Sequence, residues 1–368
     1  MKIKIAIDAR TMGSRPSGIG MYLYNFLTEL IKYDDLEISL ITDVDTSEQM
    51  VYFKDKNVAI HQMGQAIYQS GGVYKYFAYV QSVLKDVKPD IFWEVNNIIP
   101  VKLKGKFKTI VTIHDVLPMT HTWCYGKVYK WYFSNAMKKT LKQADGIIYD
   151  SEFSKRCTEE FFKDAHKVND MTGYVIIKQN MEKPQIKDNN YFFYVGNMEM
   201  RKGVDILLAA YEKYRKNGGD KKLILAGKMV DTDKLDQMIC KVSGNVGGIT
   251  YHNYVDEEKK SRLFAECSCF VFPSRAEGFG MPVIEAMQYE KPVIASDLAI
   301  FREITKDKPT YFKLEGLTED EAADNLCKAM ENYTVAVDKK NYEETLARYE
   351  GGKLTKALYD FFLTVIKN

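Results

Sequence analysis

Residues 270–296 constrain the fold of this chain more than any other stretch. They read FVFPSRAEGFGMPVIEAMQYEKPVIAS, so one short apolar run ends at Pro273 and a second lies at 292–295. Pro282 suits the start of a helix, because the N–H that proline lacks has no intrahelical partner there. The stretch therefore predicts a strand, a loop, a helix with Glu285 in its first turn, and a second strand.

The loop before this helix has the features of an anion-binding site. It contains Gly278 and Gly280, which lack a Cβ and let a ligand approach the backbone closely. The N–H groups and the dipole at a helix N-terminus attract phosphate. Glu277 lies in the same loop and is separated from Glu285 by seven residues.

Length and composition indicate a soluble protein of about two domains. The chain has 368 residues, of which 46% are hydrophobic and 28% charged, and this exceeds one ordinary domain. Its net charge of +2 argues against nucleic acid as the main partner. No apolar run approaches the about 20 residues that span a membrane, and the N-terminal MKIKIAIDAR lacks the apolar core of a signal peptide. We therefore predict a cytoplasmic protein.

Strand-like and helix-like segments alternate through both halves of the chain. Strand 2–7, a glycine-containing loop and helix 21–31 open the first series. A polar run at 178–190 predicts a linker, and strand 191–195 opens a second series. Such alternation predicts parallel sheets covered by helices, which is an α/β fold.

The first glycine-containing loop matches neither of two common phosphate-binding motifs. Gly13 and Gly18 have P-loop spacing, but Ile19 and Gly20 follow where Lys-Ser/Thr is required. The dinucleotide motif fails because Leu23 occupies its last position. Ligands of open α/β sheets bind at the carboxyl ends of strands, so we expect Gly18 and Gly20 to line a cleft, with a tight turn as the alternative.

Three further features leave two interpretations open. His114 follows the predicted strand 109–113, where a functional and a structural histidine are equally consistent with the sequence. Helix 127–142 combines aromatic and lysine residues, which fits an anionic membrane surface or an ordinary outer helix. The Asp-x-Asp pairs at 43–45 and 231–233 resemble metal ligands but fit turns and helix caps better, so no metal is predicted.

Taken together, these landmarks closely resemble the retaining glycosyltransferases of family 4. The resemblance rests on Glu277 and Glu285 in the unit that begins FVFPS and continues GFGMPVIEAM. Further matching segments are SGIGMYLYNFL, TIHDVLP, SEFSK, YVGNMEMRKG, LILAGK and PVIASDLAIFREI. The resemblance implies the GT-B fold, with two Rossmann-like domains whose parallel sheets face each other across a cleft. It assigns residues 1–180 to the acceptor side, 186–350 to the nucleotide-sugar, and 351–368 to a helix returning to the first domain.

The resemblance also implies roles for individual residues. Glu285 would bind the donor ribose, Glu277 would lie near the transferred sugar, and Lys202 would neutralise the diphosphate. The implied catalytic residues are Glu277, His114 and Lys202. The implied donor-binding residues are Glu285, Arg201, Asn197, Gly18, Gly20, Gly278, Phe279, Gly280 and Met281.

Two positions depart from the family pattern. Many members have arginine where this chain has Asn197, and we hypothesise that Arg201 supplies the missing charge. The glycine that usually follows the R-E-I segment is replaced by Lys306 and Asp307, so the loop there is expected to differ.

The implied reaction is transfer of a hexose-type sugar, with retention and without a metal or other cofactor. The donor would be a nucleotide-diphosphate sugar, with UDP, GDP or TDP undecided, and the acceptor a glycan or lipid-linked glycan of surface polysaccharide assembly. A lipid-linked acceptor would bring the protein to the inner face of the membrane as a peripheral protein. The alternatives are a nucleotide-sugar epimerase of the same fold and a non-catalytic sugar-nucleotide-binding subunit.

Overall fold

The computed structural model describes residues 2–14, 18–67, 72–177 and 184–368. The chain divides into two compact units, the first comprising residues 1–179 with 349–368 and the second residues 180–348. Each unit is built on one parallel sheet. The prediction of an α/β protein with two Rossmann-like halves is therefore confirmed. Part of the predicted linker at 178–190 lies outside the described residues.

The first unit alternates strands with helices along the chain. Its strands are β1 (Ile3–Asp8), β2 (Leu36–Thr42), β3 (Ala59–Gln62), β4 (Ile91–Glu94), β5 (Lys108–Ile113), β6 (Gly146–Tyr149) and β7 (Asn169–Thr172). Its helices are α1 (Gly18–Leu30), α2 (Glu48–Asp55), α3 (Gly72–Val87), α4 (Leu117–Thr120), α5 (Thr122–Leu141) and α6 (Glu152–Phe161). Among the described residues, the sheet order is β3-β2-β1-β4-β5-β6-β7. Strands such as β4 and β6 are buried along their whole length, as expected where helices cover both faces.

The second unit repeats this plan. Its strands are β8 (Tyr191–Val195), β9 (Lys222–Ala226), β10 (Ile249–His252), β11 (Cys269–Phe272), β12 (Val293–Ser296) and β13 (Thr310–Phe312). Its helices are α7 (Val204–Lys216), α8 (Thr232–Val246), α9 (Glu257–Glu266), α10 (Met281–Gln288), α11 (Ala299–Thr305), α12 (Glu319–Asn332) and α13 (Lys339–Leu346). The described strands are ordered β10-β9-β8-β11-β12-β13.

The carboxyl ends of the strands gather the polar candidates, because parallel strands all end at one edge of their sheet. In the first unit, β1 and β4 end at Asp8 and Glu94, and β5 and β6 are followed by His114 and Asp150. These four strands are neighbours in the sheet. The topology therefore places the four side chains along one edge.

The C-terminal helix α14 (Gly351–Lys367) packs on the first unit. Phe362 meets Trp93 of β4 edge-on, with ring centroids 5.5 Å apart. Tyr359 stacks on Tyr33, with centroids 4.7 Å apart. These contacts bury the apolar face of α14 in the first unit, although α14 follows the second unit in the sequence.

Helix α5 differs from the predicted helix 127–142. It begins at Thr122 and ends at Leu141, and Gly126 interrupts it with φ 75° and ψ 160°. Glycine tolerates this left-handed φ, so the helix continues in a new direction after it. Across the described ranges, no helix is both long enough and apolar enough to cross a membrane.

Candidate active site

The loop and helix after β11 depend on one glycine. Gly280 has φ 97°, and a Cβ there would lie 2.5 Å from Cε1 of Phe301. Because this left-handed residue caps the helix, α10 begins at Met281 and Pro282 is its second residue. Glu285 consequently lies in the second turn. The prediction of a first-turn position was wrong, and a stabilising role at the helix dipole loses its basis.

Glu277 pairs with Lys202 beside this helix. The lysine Nζ lies 2.7 and 2.8 Å from the two carboxylate oxygens, and the side chains are only 16% (lysine) and 7% (glutamate) exposed. Lys202 Nζ also lies 5.5 Å from the ring centroid of Phe272. The two charges stabilise each other, because removing either one would leave the other buried without its nearest partner.

The backbone that carries Lys202 is fixed by the neighbouring loop. A 3-10 turn at Met200–Lys202 ends at Gly203, whose φ is 69°. A Cβ on Gly203 would lie 2.0 Å from the carbonyl oxygen of Pro273, so glycine is required. The N–H of Arg275 donates to the carbonyl of Arg201 at 2.8 Å. These contacts fix the lysine-bearing turn to the loop that carries the glutamate.

A second buried ion pair supports the same turn and was missed from the sequence. The Arg275 guanidinium donates to both carboxylate oxygens of Asp205, at 2.7 and 2.6 Å, and also to the carbonyl of Met200. The arginine and aspartate side chains are 15% and 3% exposed. The Asp231 carboxylate accepts from the Met200 N–H at 2.6 Å. The available signal was the position of Arg275 two residues before Glu277.

Arg201 contributes a second positive charge close to Glu277. Its Nη2 lies 2.6 Å from Oε1 of Glu199, and its Nη1 donates to the carbonyl of Ala276 at 2.8 Å and lies 3.8 Å from Glu277 Oε2. Asn197 is exposed just after β8. The hypothesis that Arg201 replaces an arginine at Asn197 stays a hypothesis.

Three more predicted donor-binding residues, Gly278, Phe279 and Met281, lie in the loop after Glu277 and at the start of α10. Phe279 is buried, whereas Gly278 and Met281 are half-buried. Met281 is the first residue of α10, where helical N–H groups lack intrahelical partners. This geometry suits an anion at the start of the helix.

Helix α9 supplies a partner for Glu285 that sequence analysis missed. Nζ of Lys260 lies 3.2 Å from Glu285 Oε1 and 3.0 Å from Glu257 Oε1. Burial lowers the pKa of Lys260, but the two carboxylates more than offset this and raise it above its ordinary value. The Glu285 side chain remains 28% exposed, so a ligand can reach it. No sequence signal separated Lys260 from the other charged residues of α9.

His114 is held between two acceptors in the first unit. Its Nε2 lies 2.9 Å from the carbonyl oxygen of Val95, and its Nδ1 lies 3.3 Å from Oδ2 of Asp150. A carbonyl only accepts, so Nε2 carries a hydrogen. Nδ1 therefore faces the Asp150 carboxyl group. Asp150 was missed, although it follows β6, the strand next to β5.

The Asp150 carboxyl group is buried, and burial raises its pKa to about 6 against the opposing contacts with His114 and Ser154. Because this folded-state pKa exceeds the ordinary value of 3.8, the stabilisation from protonation is full below pH 3.8 and is lost as the pH rises through about 6. Asp150→Asn mimics the protonated group at every pH. We expect the wild type to lose about 2–3 kcal/mol relative to this variant between about pH 4 and pH 7.5.

Urea unfolding of both proteins across this pH range measures the difference. Asp360→Asn, at an exposed position paired with Lys356 at 2.8 Å, controls for an acid-to-amide change. A wild type that gains stability relative to Asp150→Asn as the pH rises would show instead that the aspartate is held as an anion by a charged histidine.

Gly18 and Gly20 do not form the predicted loop. Both lie in the first turn of α1, which begins at Gly18 rather than at residue 21. A Cβ on Gly20 would lie 2.3 Å from the carbonyl oxygen of Thr11, so the helix packs directly on the segment after β1. The requirement for glycine at this position is therefore steric, and the expectation of a glycine loop lining a cleft is corrected to a helix N-terminus.

A buried ion cluster fixes the segment after β1 to β4. Arg10 lies 3.1 Å from Asp8 Oδ2 and 3.2 Å from Glu94 Oε1, and the Tyr76 hydroxyl donates to Asp8 Oδ1 at 2.7 Å. Burial and the adjacent Asp8 raise the pKa of Glu94 well above its ordinary value, although Arg10 opposes the rise. One cation between two buried carboxylates accounts for this direction.

The Asp-x-Asp pairs have structural partners. Asp43 accepts from its neighbour's backbone N–H at 2.9 Å, and Asp45 pairs with Lys54 at 2.6 Å. Asp231 binds the 3-10 turn, and the side chain of Asp233 lies outside the described structure. Across the described residues, no three His, Cys, Asp or Glu side chains cluster as metal ligands would.

Lys306 and Asp307, which stand where the family usually has glycine, adopt the backbone conformation that glycine favours. Lys306 and Asp307 have φ of 51° and 59°, both in the left-handed region. The Asp307 carboxylate accepts from Arg302 Nη1 at 2.6 Å. This contact compensates for part of the strain of a non-glycine residue there.

Comparisons with known proteins agree with this arrangement. Residues 176–346 match the family model described as Glycosyl transferases group 1. The O-antigen chain mannosyltransferase B of Escherichia coli is 28% identical over 236 residues, which cover 61% of each protein. The O-antigen chain mannosyltransferase RfbU of Salmonella typhimurium is 22% identical over 357 residues, covering 94% of this chain and 95% of RfbU. The crystal structure of Anabaena Alr3699/HepE in complex with UDP and glucose has a TM-score of 0.75 at 15% identity, covering 98% of this chain and 100% of that chain.

The matches agree with the fold of the chain. Its two parallel-sheet halves have the GT-B fold, as predicted. The second half carries a Glycosyl transferases group 1 domain, in which Lys202, Glu277 and Glu285 all lie. The chain spans 61% of the length of the Escherichia coli mannosyltransferase.

Proposed function

We propose that this protein is a retaining glycosyltransferase of family 4, moving a hexose-type sugar from a nucleotide diphosphate to a glycan or lipid-linked glycan during surface polysaccharide assembly. The buried Lys202–Glu277 pair beside the N-terminus of α10, within the matched domain, is the observation that carries the proposal. The O-antigen names of the two relatives support the acceptor class and a mannosyl-type donor. The facing of the two halves across a cleft is part of this proposal.

The chemistry requires stabilisation of a leaving diphosphate. As the glycosidic bond breaks, positive charge develops at the anomeric carbon and negative charge on the phosphate, and fixed cations aimed at that phosphate lower the barrier. We assign this role to Lys202, with Arg201 and the start of α10 adding positive potential. The proposal needs no metal, since these groups supply the charge. Without donor, Glu277 neutralises Lys202 at 2.7 Å; with donor, the ammonium group would be shared with the diphosphate.

Retention is assigned to attack from the leaving-group face, with the diphosphate accepting the proton of the acceptor hydroxyl. Glu277 then orients the sugar and stabilises the developing positive charge. His114 would face the transferred sugar, oriented by its bonds to Val95 and Asp150. We also assign Gly18 and Gly20, in the first turn of α1, to the approach of N–H groups at a helix N-terminus to the phosphates.

A donor panel tests the proposed function. UDP-, GDP- and TDP-hexoses are incubated with the protein, with and without acceptor glycans, and release of the nucleotide diphosphate is measured. Acceptor-dependent release with one donor is the expected result, and the anomeric configuration of the product tests retention. Conversion of one sugar nucleotide into another would identify an epimerase. Binding without release from any combination would identify a non-catalytic subunit.

Glu285→Gln is expected to raise the donor KM about tenfold and to change kcat much less. A carboxylate accepts from two neighbouring ribose hydroxyls, and binding that is equal in ground and transition states appears in KM. Steady-state kinetics measure the two constants. Glu257→Gln is the matched control, because it removes the other carboxylate on Lys260 from a side chain that is 73% exposed. An unchanged KM in Glu285→Gln would show that Glu285 does not bind the donor and serves only as the ion-pair partner of Lys260.

The hypothesis for Arg201 has a direct comparison. Arg201→Ala and Asn197→Ala are each assayed for donor binding by thermal shift with the nucleotide found in the panel, since a ligand that binds the folded state raises its stability. If only Arg201→Ala loses donor binding, Arg201 supplies the charge that the family arginine has at the position of Asn197. If Arg201→Ala binds the donor normally, this hypothesis is wrong.

We also propose a cytoplasmic location at the inner face of the membrane. The support is the exposed face of α5, on which Val128 is 83% and Trp131 71% exposed. Nucleic acid is not proposed as a partner, because the chain carries 52 basic and 50 acidic residues.

A further inference from the structure

A cavity in the first unit lies apart from the residues assigned to the donor and to catalysis. It has a volume of about 370 Å³ and is formed by α5, α3 and the segment after β4. This is within the size range of small-molecule sites. Trp131, Tyr132, Lys138, Lys139 and Lys142 contribute its wall from α5 and the residue just after it. Their spacing repeats the helical period, so they share one face of the helix.

The described wall of the cavity carries only positive charge. None of its described residues is acidic, and α5 contains no Asp or Glu. The three lysines have no carboxylate within ion-pair distance among the described residues, and Lys139 donates only to the carbonyl of Pro100, at 3.4 Å. Lys142 contributes weakly to the lowered pKa of Asp164, but that aspartate is paired with Lys167 at 2.8 Å.

The cations of the candidate active site differ in this respect. Lys202 and Lys260 each contact a carboxylate oxygen, at 2.7 and 3.2 Å. Three neighbouring ammonium groups without such a partner repel one another, and a bound polyanion would relieve that repulsion. Phosphate and diphosphate are the polyanions that lysines commonly bind in proteins.

Aromatic side chains supply the second half of the recognition. Trp131 is 71% exposed and Tyr74, on α3, is 51% exposed; both line the cavity. Large exposed aromatic faces at a concave site provide contact area for an apolar chain or a sugar ring. The matching ligand therefore carries a diphosphate directly beside an apolar chain or ring.

We propose that this cavity binds the diphosphate of a lipid-linked acceptor, with the adjoining apolar chain or sugar against Trp131 and Tyr74. The inference rests on the proposed function, which assigns the donor diphosphate to Lys202 in the second unit and leaves the acceptor without a site. The three lysines thus become the acceptor-anchoring residues of the chain.

The test uses the full chain and farnesyl diphosphate as a soluble probe, with inorganic pyrophosphate and farnesol as its separate halves. Binding is followed by the fluorescence of Trp131, and Trp131→Phe identifies its contribution to the signal. Farnesyl diphosphate is expected to bind more tightly than either half. The triple variant Lys138→Gln, Lys139→Gln, Lys142→Gln is expected to raise its Kd about tenfold or more, since each charge-assisted contact is lost.

Matched controls separate the cavity from general charge. Lys127→Gln with Lys130→Gln removes two lysines of the same helix that do not line the cavity, and an unchanged Kd is expected. An equal Kd in wild type and triple variant would overturn the proposal. If the triple variant loses adhesion to phosphatidylglycerol vesicles but binds farnesyl diphosphate normally, the lysines contact the bilayer surface, and the proposal also fails.

The outcome is distinguishable from that of the proposed function. Nucleotide release with the identified donor and a soluble, lipid-free acceptor glycan does not use the three lysines and is expected to persist in the triple variant. If diphosphate binding depends on the lysines but no sugar is transferred, the proposed function is wrong and the cavity is still a diphosphate site. If the wild type and the triple variant transfer sugar to a lipid-linked acceptor with the same KM, the cavity does not bind the acceptor and the proposed function stands.

Discussion

Lys202→Met is expected to lower kcat/KM by a factor on the order of 10²–10³, with most of the loss in kcat. Methionine keeps the length and apolar contacts of the lysine side chain but removes the charge that would face the leaving diphosphate. That charge matters most when the glycosidic bond breaks, which is why kcat should fall more than KM rises. Initial rates with the identified donor measure both constants.

The structure adds a stability effect to this variant. Glu277 is 7% exposed and would lose the cation 2.7 Å away, keeping only Arg201 at 3.8 Å. Removing one partner of a buried pair costs about 3–5 kcal/mol when no second cation is present, so we expect a smaller loss here. Lys202→Met with Glu277→Gln removes both charges, so we expect unfolding stability to recover while activity stays low. This divergence separates the catalytic role of the lysine from its structural role.

Lys216→Met is the control for replacing a lysine by methionine. Lys216 is 62% exposed and pairs with Glu212 at 2.7 Å on the surface of α7, where such pairs contribute about 0–1 kcal/mol. Its kinetics should match the wild type. Retention of more than about a third of kcat/KM in Lys202→Met would show that the leaving group is stabilised elsewhere, because that loss corresponds to under 1 kcal/mol of transition-state stabilisation.

Local patterns predicted the fold. Alternating apolar runs and helical segments indicated parallel sheets, and the stretch at 270–296 contains β11, α10 and β12 as expected. Gly280 lies just before α10, as its place in the predicted loop indicated. These features depend on residues close together in the chain, which is the range over which periodicity and turn chemistry act.

Partners distant in sequence were not predictable in this way. Lys202 and Glu277 were each proposed, yet their direct contact joins residues 75 positions apart. Lys260 was one of several similar charges on α9, and its pairing with Glu285 depends on how α9 and α10 pack. A single sequence contains no measure of that packing, so the electrostatic balance of the site became visible only in the structure.

The predicted start of α1 was wrong because glycine occurs both in loops and at close helix contacts. A glycine-rich segment usually predicts a loop, which is why Gly18 and Gly20 were assigned to one. In the structure, Gly20 lies in helix α1, and glycine is required there because a Cβ would lie 2.3 Å from the carbonyl of Thr11. Local sequence cannot distinguish a glycine needed for φ from one needed for close packing.

Arg275→Met is expected to destabilise the protein by about 3–5 kcal/mol, because it leaves the Asp205 carboxylate buried without its cation. Asp205 is 3% exposed and receives two hydrogen bonds, at 2.7 and 2.6 Å, from this one guanidinium. Urea unfolding at neutral pH measures the loss. Arg262→Met is the control, since that arginine is 59% exposed and pairs with Glu258 at 3.1 Å on the surface.

The same variant is expected to reduce activity even where the protein is folded. The Arg275 guanidinium donates to the carbonyl of Met200, and the turn at Met200–Lys202 positions the ammonium group of Lys202, to which we assign the catalytic role. Arg275→Met with Asp205→Leu removes both buried charges, so much of the stability should return. If activity returns with stability, Arg275 acts only on folding. If stability returns while kcat stays low, the arginine orients Lys202 through the turn at Met200–Lys202.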